Sequence, residues 1–224
     1  MVYSDFTLAQ LRKEYNLVIT GQAGLFADAP PAVVSDLLRQ TLARQTDVAL
    51  NTGSEKARSE FLIAPILIEA HAQARDRANL FSGLEFTVDA QRGLSGFFDF
   101  FYTLAPLAID IQAPVISVVE AKKEDINAGI PQCLAERVAA QIFNAAEGRP
   151  LDTLYGIIVT GEVWKFLRPQ GTNAVIDTED YFLIQPDLIQ PEKIVGIILI
   201  YAARRMKLAR RRARFAKRLA AVSS

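Results

Sequence analysis

The chain is most constrained by an almost entirely apolar run, Ala113 to Val119, that ends in the triplet Glu120-Ala121-Lys122. A short continuous apolar run of this kind is typical of a β-strand that is buried on both faces of a sheet. Because side chains alternate along a strand, we expect Glu120 and Lys122 to lie on the same face. A carboxylate and an ammonium group at the end of a buried strand cost free energy unless they are paired or serve a function.

A second carboxylate interrupts another apolar segment, the aromatic run Gly96 to Tyr102, which has Asp99 at its centre. Alternation along a strand predicts that Phe98 and Phe100 share one face, while Asp99 lies on the other face with the two remaining phenylalanines of the run. If this strand neighbours the one that ends in Glu120, the two acids form a candidate site for a hard divalent cation.

Charge is unevenly distributed, although the 25 basic and 25 acidic residues of this 224-residue chain cancel. Nine of the basic residues and no acidic residue lie in Arg204–Ser224, so the preceding 203 residues carry 16 basic and 25 acidic side chains. The basic tail, Arg204 to Arg218, predicts an anionic partner, and we rank nucleic acid above a membrane surface. The alternative for this tail is a solvated chain end.

A cytoplasmic location without a membrane anchor is the expectation. Cys133 is the only cysteine, which excludes an internal disulfide and fits a reducing compartment. The chain does not open with a signal-peptide pattern, and the late apolar run Ile194 to Ala203 is too short to span a bilayer.

Hydrophobic periodicity and turn residues predict one mixed β-sheet with helices on its faces, an α/β (α+β) fold. The predicted helices are Thr7–Tyr15, Pro30–Gln45, Glu55–Arg77 with a kink at Pro65, Asn127–Glu147, and a long helix that begins at Pro191 and carries the tail. The predicted strands are Gly83–Val88, Leu94–Leu104, Pro114–Glu120, the hairpin Leu154–Thr160 with Val163–Leu167, and an edge strand Tyr181–Ile184. We expect Ser54 to cap the third helix.

Hydrolysis of a phosphodiester needs an activated water, neutralisation of phosphate charge and stabilisation of the leaving oxygen, all of which a divalent metal supplies. Mg²⁺ prefers oxygen ligands and needs only one or two protein carboxylates. Asp99 and Glu120 are therefore candidate ligands, joined by the carbonyl oxygen of Ala121. Lys122 would face the same water or phosphate and offset negative charge.

Gly96-Phe97-Phe98-Asp99, the later Glu120-Ala121-Lys122 and Gln132 on the next helix together resemble the motifs of the PD-(D/E)XK nuclease superfamily. Phe98 stands where the superfamily name has proline. The resemblance covers roughly Glu60 to Leu167, includes the strand order, and is strongest toward RecB-like and type I restriction nuclease domains. It implies a restriction-endonuclease-like fold and magnesium-dependent cleavage of DNA, with manganese as an alternative ion.

On this resemblance the chain is a single nuclease-like domain, 1–224, with an N-terminal helical extension (1–50) and a basic C-terminal helix (191–224). Asp99 and Glu120 are implied to hold the metal and Lys122 to position the attacking water. Gln132 is implied to order the site or the DNA backbone. Glu60, on the helix before the first strand, is implied as an additional metal ligand.

Other readings of the same residues stay open. Glu120 and Lys122 also fit a structural ion pair. Gln132, which shares a helical face with Glu136, also fits a residue that makes local hydrogen bonds at a helix start. An inactive nuclease-fold module that binds DNA or a protein partner is the main alternative function, and a scaffold that docks an acidic partner through its tail is the third. A two-fold homodimer would suit an enzyme that cuts both DNA strands.

Overall fold

The fold was analysed in a computed structural model, which describes residues 1–74, 78–105, 109–171, 173–185 and 188–201. Its helices are a 3₁₀ turn Tyr3–Asp5, α1 Leu8–Tyr15, α2 Asp36–Thr52, α3 Glu55–Arg58, a π-helical turn Ser59–Ile63, α4 Ala64–Gln73, α5 Gly129–Ala146 and α6 191–201. Its strands are β1 Ile19–Gln22, β2 Asn79–Glu85, β3 Phe97–Thr103, β4 Val115–Ala121, β5 Tyr155–Val159, β6 Val163–Gln170, β7 Asn173–Asp177, β8 Tyr181–Phe182, β9 Ile184–Gln185 and β10 Leu188–Ile189.

One mixed sheet has the strand order β1-β7-β6-β5-β4-β3-β2, with β8 paired to β6. Strands β2, β3 and β4 are consecutive and antiparallel, and β4 then pairs in parallel with β5. A parallel neighbour requires a crossover connection, which α5 provides. The predicted mixed α/β (α+β) class is confirmed, with β4 and β5 at the centre of the sheet.

Two apolar cores cover the two faces of this sheet. On one face α2, α4 and α6 pack against side chains such as Val119, Ile157 and Phe166. On the other face α1 and α5 pack against side chains such as Val118 and Ile158. Because both faces are covered, β4 and β5 are buried along their whole length. The continuous apolar run before Glu120 therefore corresponds to a strand buried on both faces, as predicted.

The N-terminal segment, which we predicted to be helical, also contains β1, and the sequence analysis missed this strand together with its parallel partner β7. Helix α2 begins later than predicted. The prediction started it at Pro30, whereas Ser35 is the N-cap and its hydroxyl accepts a hydrogen bond from the Leu38 N–H at 3.2 Å. Proline is only tolerated in a first helical turn, whereas a serine N-cap satisfies a free backbone N–H.

The third predicted helix does run through Pro65, and Ser54 caps it as predicted by accepting from the Ala57 N–H. The kink expected at Pro65 takes the form of the π-helical turn Ser59–Ile63, in which the Ala64 N–H bonds to the Ser59 carbonyl. Proline removes one i→i−4 donor, and the wider turn immediately before it accommodates that loss. The predicted end of the helix at Arg77 lies outside the described residues.

Strand β3 does not alternate as predicted. Phe98 and Phe101 lie in the core beside α5, whereas Phe100 lies in the opposite core. The break falls at Asp99, whose neighbour across the strand pair is Gly83, a glycine with φ of 64°. A glycine in the left-handed region departs from the extended backbone of a strand, and at this point the phenylalanines on either side of Asp99 face opposite sides of the sheet.

Helix α6 begins at Pro191 as predicted and is described to residue 201. The predicted basic tail, Arg204 to Arg218, lies outside the described residues. No helix in the described ranges is long and apolar enough to cross a membrane.

Candidate active site

Glu120 and Lys122 lie at the carboxyl end of β4, on the face that α5 covers. Glu120 is 1% exposed, and its Oε1 is 2.6 Å from Lys122 Nζ. The strand period of two brings both side chains to one face, as the sequence predicted. The Lys122 N–H bonds to the Val159 carbonyl at 2.8 Å, which fixes the backbone just beyond the strand.

Asp99 approaches the same strand end from β3. Its Oδ2 accepts a hydrogen bond from the Ala121 N–H at 2.8 Å. This bond holds the Asp99 carboxylate beside the backbone of Ala121, the residue between Glu120 and Lys122. The two acids predicted as metal ligands therefore lie next to one another at the end of adjacent strands.

Gln132 reaches this cluster from the first turn of α5. Its amide Nε2 donates to Glu120 Oε2 at 2.8 Å, and its Oε1 accepts from Lys122 Nζ at 3.0 Å. The close approach of the helix depends on Gly129, because a Cβ there would lie 2.6 Å from Ile158 Cγ2 and 3.1 Å from Lys122 Cγ. All four predicted catalytic residues are thus brought together: Asp99, Glu120, Lys122 and Gln132.

Glu136 is the residue that the sequence analysis did not include. It lies one turn after Gln132, is fully buried, and accepts from Gln132 Nε2 at 3.2 Å through Oε1. Its other oxygen, Oε2, is buried and has no hydrogen-bond partner in the described part of the chain. The i,i+4 spacing from Gln132 was the available signal, but spacing alone did not indicate a buried acid beside Glu120.

Burial raises the pKa values of all three carboxyl groups in the cluster. Burial, followed by the negative charge of Asp99, raises the pKa of Glu120 from 4.5 to about 7. Burial likewise raises the pKa of Asp99, although the Ala121 N–H opposes the rise. Burial and the charge of Glu120 raise the pKa of Glu136 well above its ordinary value.

Lys122 stays an ammonium ion in this setting. Burial lowers its pKa, but the charge and the hydrogen bond of Glu120 outweigh burial, and the net shift is upward. A protonated lysine donates hydrogen bonds and stabilises negative charge, but it does not remove a proton from water. Its side chain is 24% exposed, so it is also within reach of a ligand.

Glu60 does not join the cluster. Its Oε1 pairs with Lys56 Nζ at 3.1 Å on the surface of the helix. Glu55, at the start of α3, is the acid whose charge affects the pKa of both Asp99 and Lys122. Residues five apart lie roughly 140° apart around a helix axis, so these two glutamates do not face the same group.

The chemistry of the cluster fits a divalent cation. Asp99 and Glu120 both have raised pKa values beside a single ammonium group, and a bound divalent cation would favour their ionised forms. Within the described ranges, no three His, Cys, Asp or Glu side chains converge on one point to form a metal site by themselves. Mg²⁺ keeps several waters and needs only one or two carboxylates, which Asp99 and Glu120 would supply.

Comparison of the chain with models of known protein families gives no match. Comparison with curated proteins gives no significant match either.

Proposed function

We propose that the chain is a metal-dependent nuclease of the PD-(D/E)XK type that hydrolyses DNA phosphodiester bonds. The observation that carries this proposal is the contact of Lys122 Nζ with both Glu120 and Gln132, at 2.6 and 3.0 Å, beside the partly buried Asp99. These residue types at one strand end are the set that the resemblance implies. The raised pKa of Glu120 adds support, because a structural Glu–Lys pair ordinarily lowers the pKa of its carboxyl group.

Each residue of the cluster has a distinct part in the proposed reaction. Asp99 and Glu120 would hold the cation, which when bound supplies Lewis acidity and lowers the pKa of a bound water. Lys122, as an ammonium ion, would orient the attacking water and offset negative charge on the phosphate. The Gln132 amide donates to Glu120 and accepts from Lys122, so it would hold both side chains in position.

The strand order also supports the proposal. Three consecutive antiparallel strands, the crossover helix α5 and a parallel strand β5 match the arrangement that the resemblance implies. DNA is the proposed substrate, and the tail Arg204–Arg218 would add sequence-independent affinity for phosphates. A cytoplasmic location, a single domain and a two-fold homodimer belong to the same proposal.

The proposal is tested with the purified full-length protein and labelled DNA, supplied as supercoiled plasmid, linear duplex and single strand. We expect cleavage to require Mg²⁺ or Mn²⁺ and to fall at least about 100-fold in Lys122→Ala and Asp99→Asn, because each loses a preorganised charge. Lys13→Ala on α1 and Asp47→Asn on α2 are matched controls, since both side chains are exposed.

The results separate the competing hypotheses. Equal cleavage by Lys122→Ala and the parent protein would show that the site assignment is wrong. A parent protein that binds DNA, does not cut it, and gives no heat of Mg²⁺ or Mn²⁺ binding in calorimetry would instead be the inactive binding module.

A further inference from the structure

A groove lies just beyond the ends of β4 and β5, and the residue that follows Lys122 lines it. We propose that it binds one unpaired nucleobase of the DNA strand next to the scissile phosphate, an inference that rests on the proposed nuclease function. The groove has a volume of about 630 Å³, which lies within the range of sites that enclose small organic ligands.

The position of the groove ties it to the active site. Lys123, the residue after Lys122, lines it, and so does Thr160, which follows β5. Lys122 and Lys123 are consecutive residues just beyond β4, so the groove opens at the same end of the strand as the proposed active site. On the proposal, a strand whose phosphate contacts Lys122 passes the mouth of the groove.

One wall of the groove is suited to stacking. Phe182 is 47% exposed and lies beside Val163 and Ile184, which are half-buried. Its backbone is held in place, because the next residue, Leu183, donates its N–H to the Glu162 carbonyl at 2.7 Å. An exposed aromatic ring on a fixed backbone is the surface on which single-stranded nucleic acids stack their bases.

The charges in the groove indicate a neutral ligand with polar edges. Arg58 pairs with Glu162, and Lys123 pairs with Glu124 at 3.2 Å. The two pairs cancel, so the groove offers little attraction to a free anion. Thr160 and Gln185 add a hydroxyl and an amide to the lining, and such groups, like the carboxylates, form hydrogen bonds with base edges.

A base that reaches this groove must be unpaired. In a duplex each base is stacked on both faces and its Watson–Crick edge is occupied, so contact with Phe182 requires a single strand, a frayed end or an extruded nucleotide. The inference therefore assigns a substrate class: DNA that is single-stranded next to the cleavage point.

The test follows the logic of a double-mutant cycle: one change is a substitution in the protein, and the other is removal of the bases from the DNA. Binding of the full-length protein is measured in EDTA by fluorescence anisotropy, with a labelled oligo-dT of about 12 nucleotides and an abasic strand of equal length. We expect Phe182→Ala to weaken oligo-dT binding by about 5- to 150-fold and abasic binding by less than about twofold. Phe182→Trp should retain the preference for oligo-dT, and Leu37→Ala, which removes an exposed apolar side chain on α2, should change neither affinity.

Other outcomes overturn the inference. If Phe182→Ala loses equal affinity for oligo-dT and for the abasic strand, Phe182 acts on the fold. If it loses affinity for neither, the bases do not reach Phe182. A parent protein that does not distinguish oligo-dT from the abasic strand has the same consequence. The cleavage assay with Lys122→Ala is independent of these measurements, so the groove and the nuclease function can fail separately.

Discussion

Raising the pH in the presence of EDTA is expected to destabilise the protein, because the folded state holds protons on buried carboxyl groups. The pKa of Glu120 is 4.5 in its ordinary state and about 7 in the fold. A raised carboxyl pKa contributes stability that is present below 4.5 and is lost as the pH rises through about 7. The difference corresponds to about 3 kcal/mol, and the raised pKa values of Asp99 and Glu136 act in the same direction.

For a chain of this size, about 3 kcal/mol corresponds to roughly 6 to 12 °C in Tm. Thermal unfolding followed by circular dichroism from about pH 5 to pH 8 measures the effect. Glu120→Gln replaces the carboxyl group with a neutral amide of similar size, so it should match the parent near the acidic limit and be more stable at the alkaline limit. Glu147→Gln, at the exposed end of the same helix as Gln132, is the control for unrelated titrations.

The quantity that decides the question is the difference in Tm between Glu120→Gln and the parent. If that difference stays constant over the whole pH range, the buried acids do not carry the proton that the structure assigns to them. At the alkaline limit, Mg²⁺ or Mn²⁺ should raise the Tm of the parent and leave Glu120→Gln unchanged, because only the parent retains both carboxylate ligands.

Three further changes probe the same site and the tail. Glu136→Gln should keep cleavage within about threefold of the parent, because its amide oxygen still accepts from Gln132, whereas Glu136→Leu should lower kcat at least about tenfold. Gly129→Ala should cost about 1–3 kcal/mol in urea unfolding and slow cleavage, since the added Cβ meets Ile158 at 2.6 Å; unchanged stability and rate would contradict this. Truncation before Arg204 should weaken binding to duplex DNA and flatten its salt dependence, as nine cationic side chains are removed; an unaltered salt slope would exclude the tail from binding.

The parts of the fold that could be predicted are the strands whose burial is apparent as a run of consecutive apolar residues. The run before Glu120 is apolar at every position except Ser117 because both faces of β4 are covered, and the aromatic run of β3 is explained in the same way. Strands β1 and β7 were missed because their sequences, ITGQ and NAVID, are short and mixed in polarity. They pair in parallel across more than 150 residues of chain, and no local pattern encodes such a partnership.

The site follows the same division between local and long-range information. The period of two predicted that Glu120 and Lys122 share a face, whereas Gln132 was implied by the family resemblance. Glu60 was implied as a ligand by the resemblance alone, and whether it reaches the site depends on how its helix docks, which a sequence pattern does not specify. Glu136 lies in the core because α5 packs closely on β5. This close packing depends on Gly156, since a Cβ at that position would lie only 2.8 Å from Cys133 Sγ.

The raised pKa of Glu120 favours the proposed metal site over a structural ion pair. In a structural pair, attraction to the lysine exceeds the cost of burial, the carboxyl pKa falls, and stability increases with pH. Here Lys122 contacts Glu120 at 2.6 Å, yet burial and Asp99 dominate, so the ionised cluster is a strained state of the folded protein. A cation between Asp99 and Glu120 would relieve that strain while the proton leaves, which couples metal affinity to pH. Stability in EDTA should therefore fall over the same pH range in which metal-dependent cleavage rises, whereas stability that increases with pH would identify the Glu120–Lys122 contact as a structural ion pair.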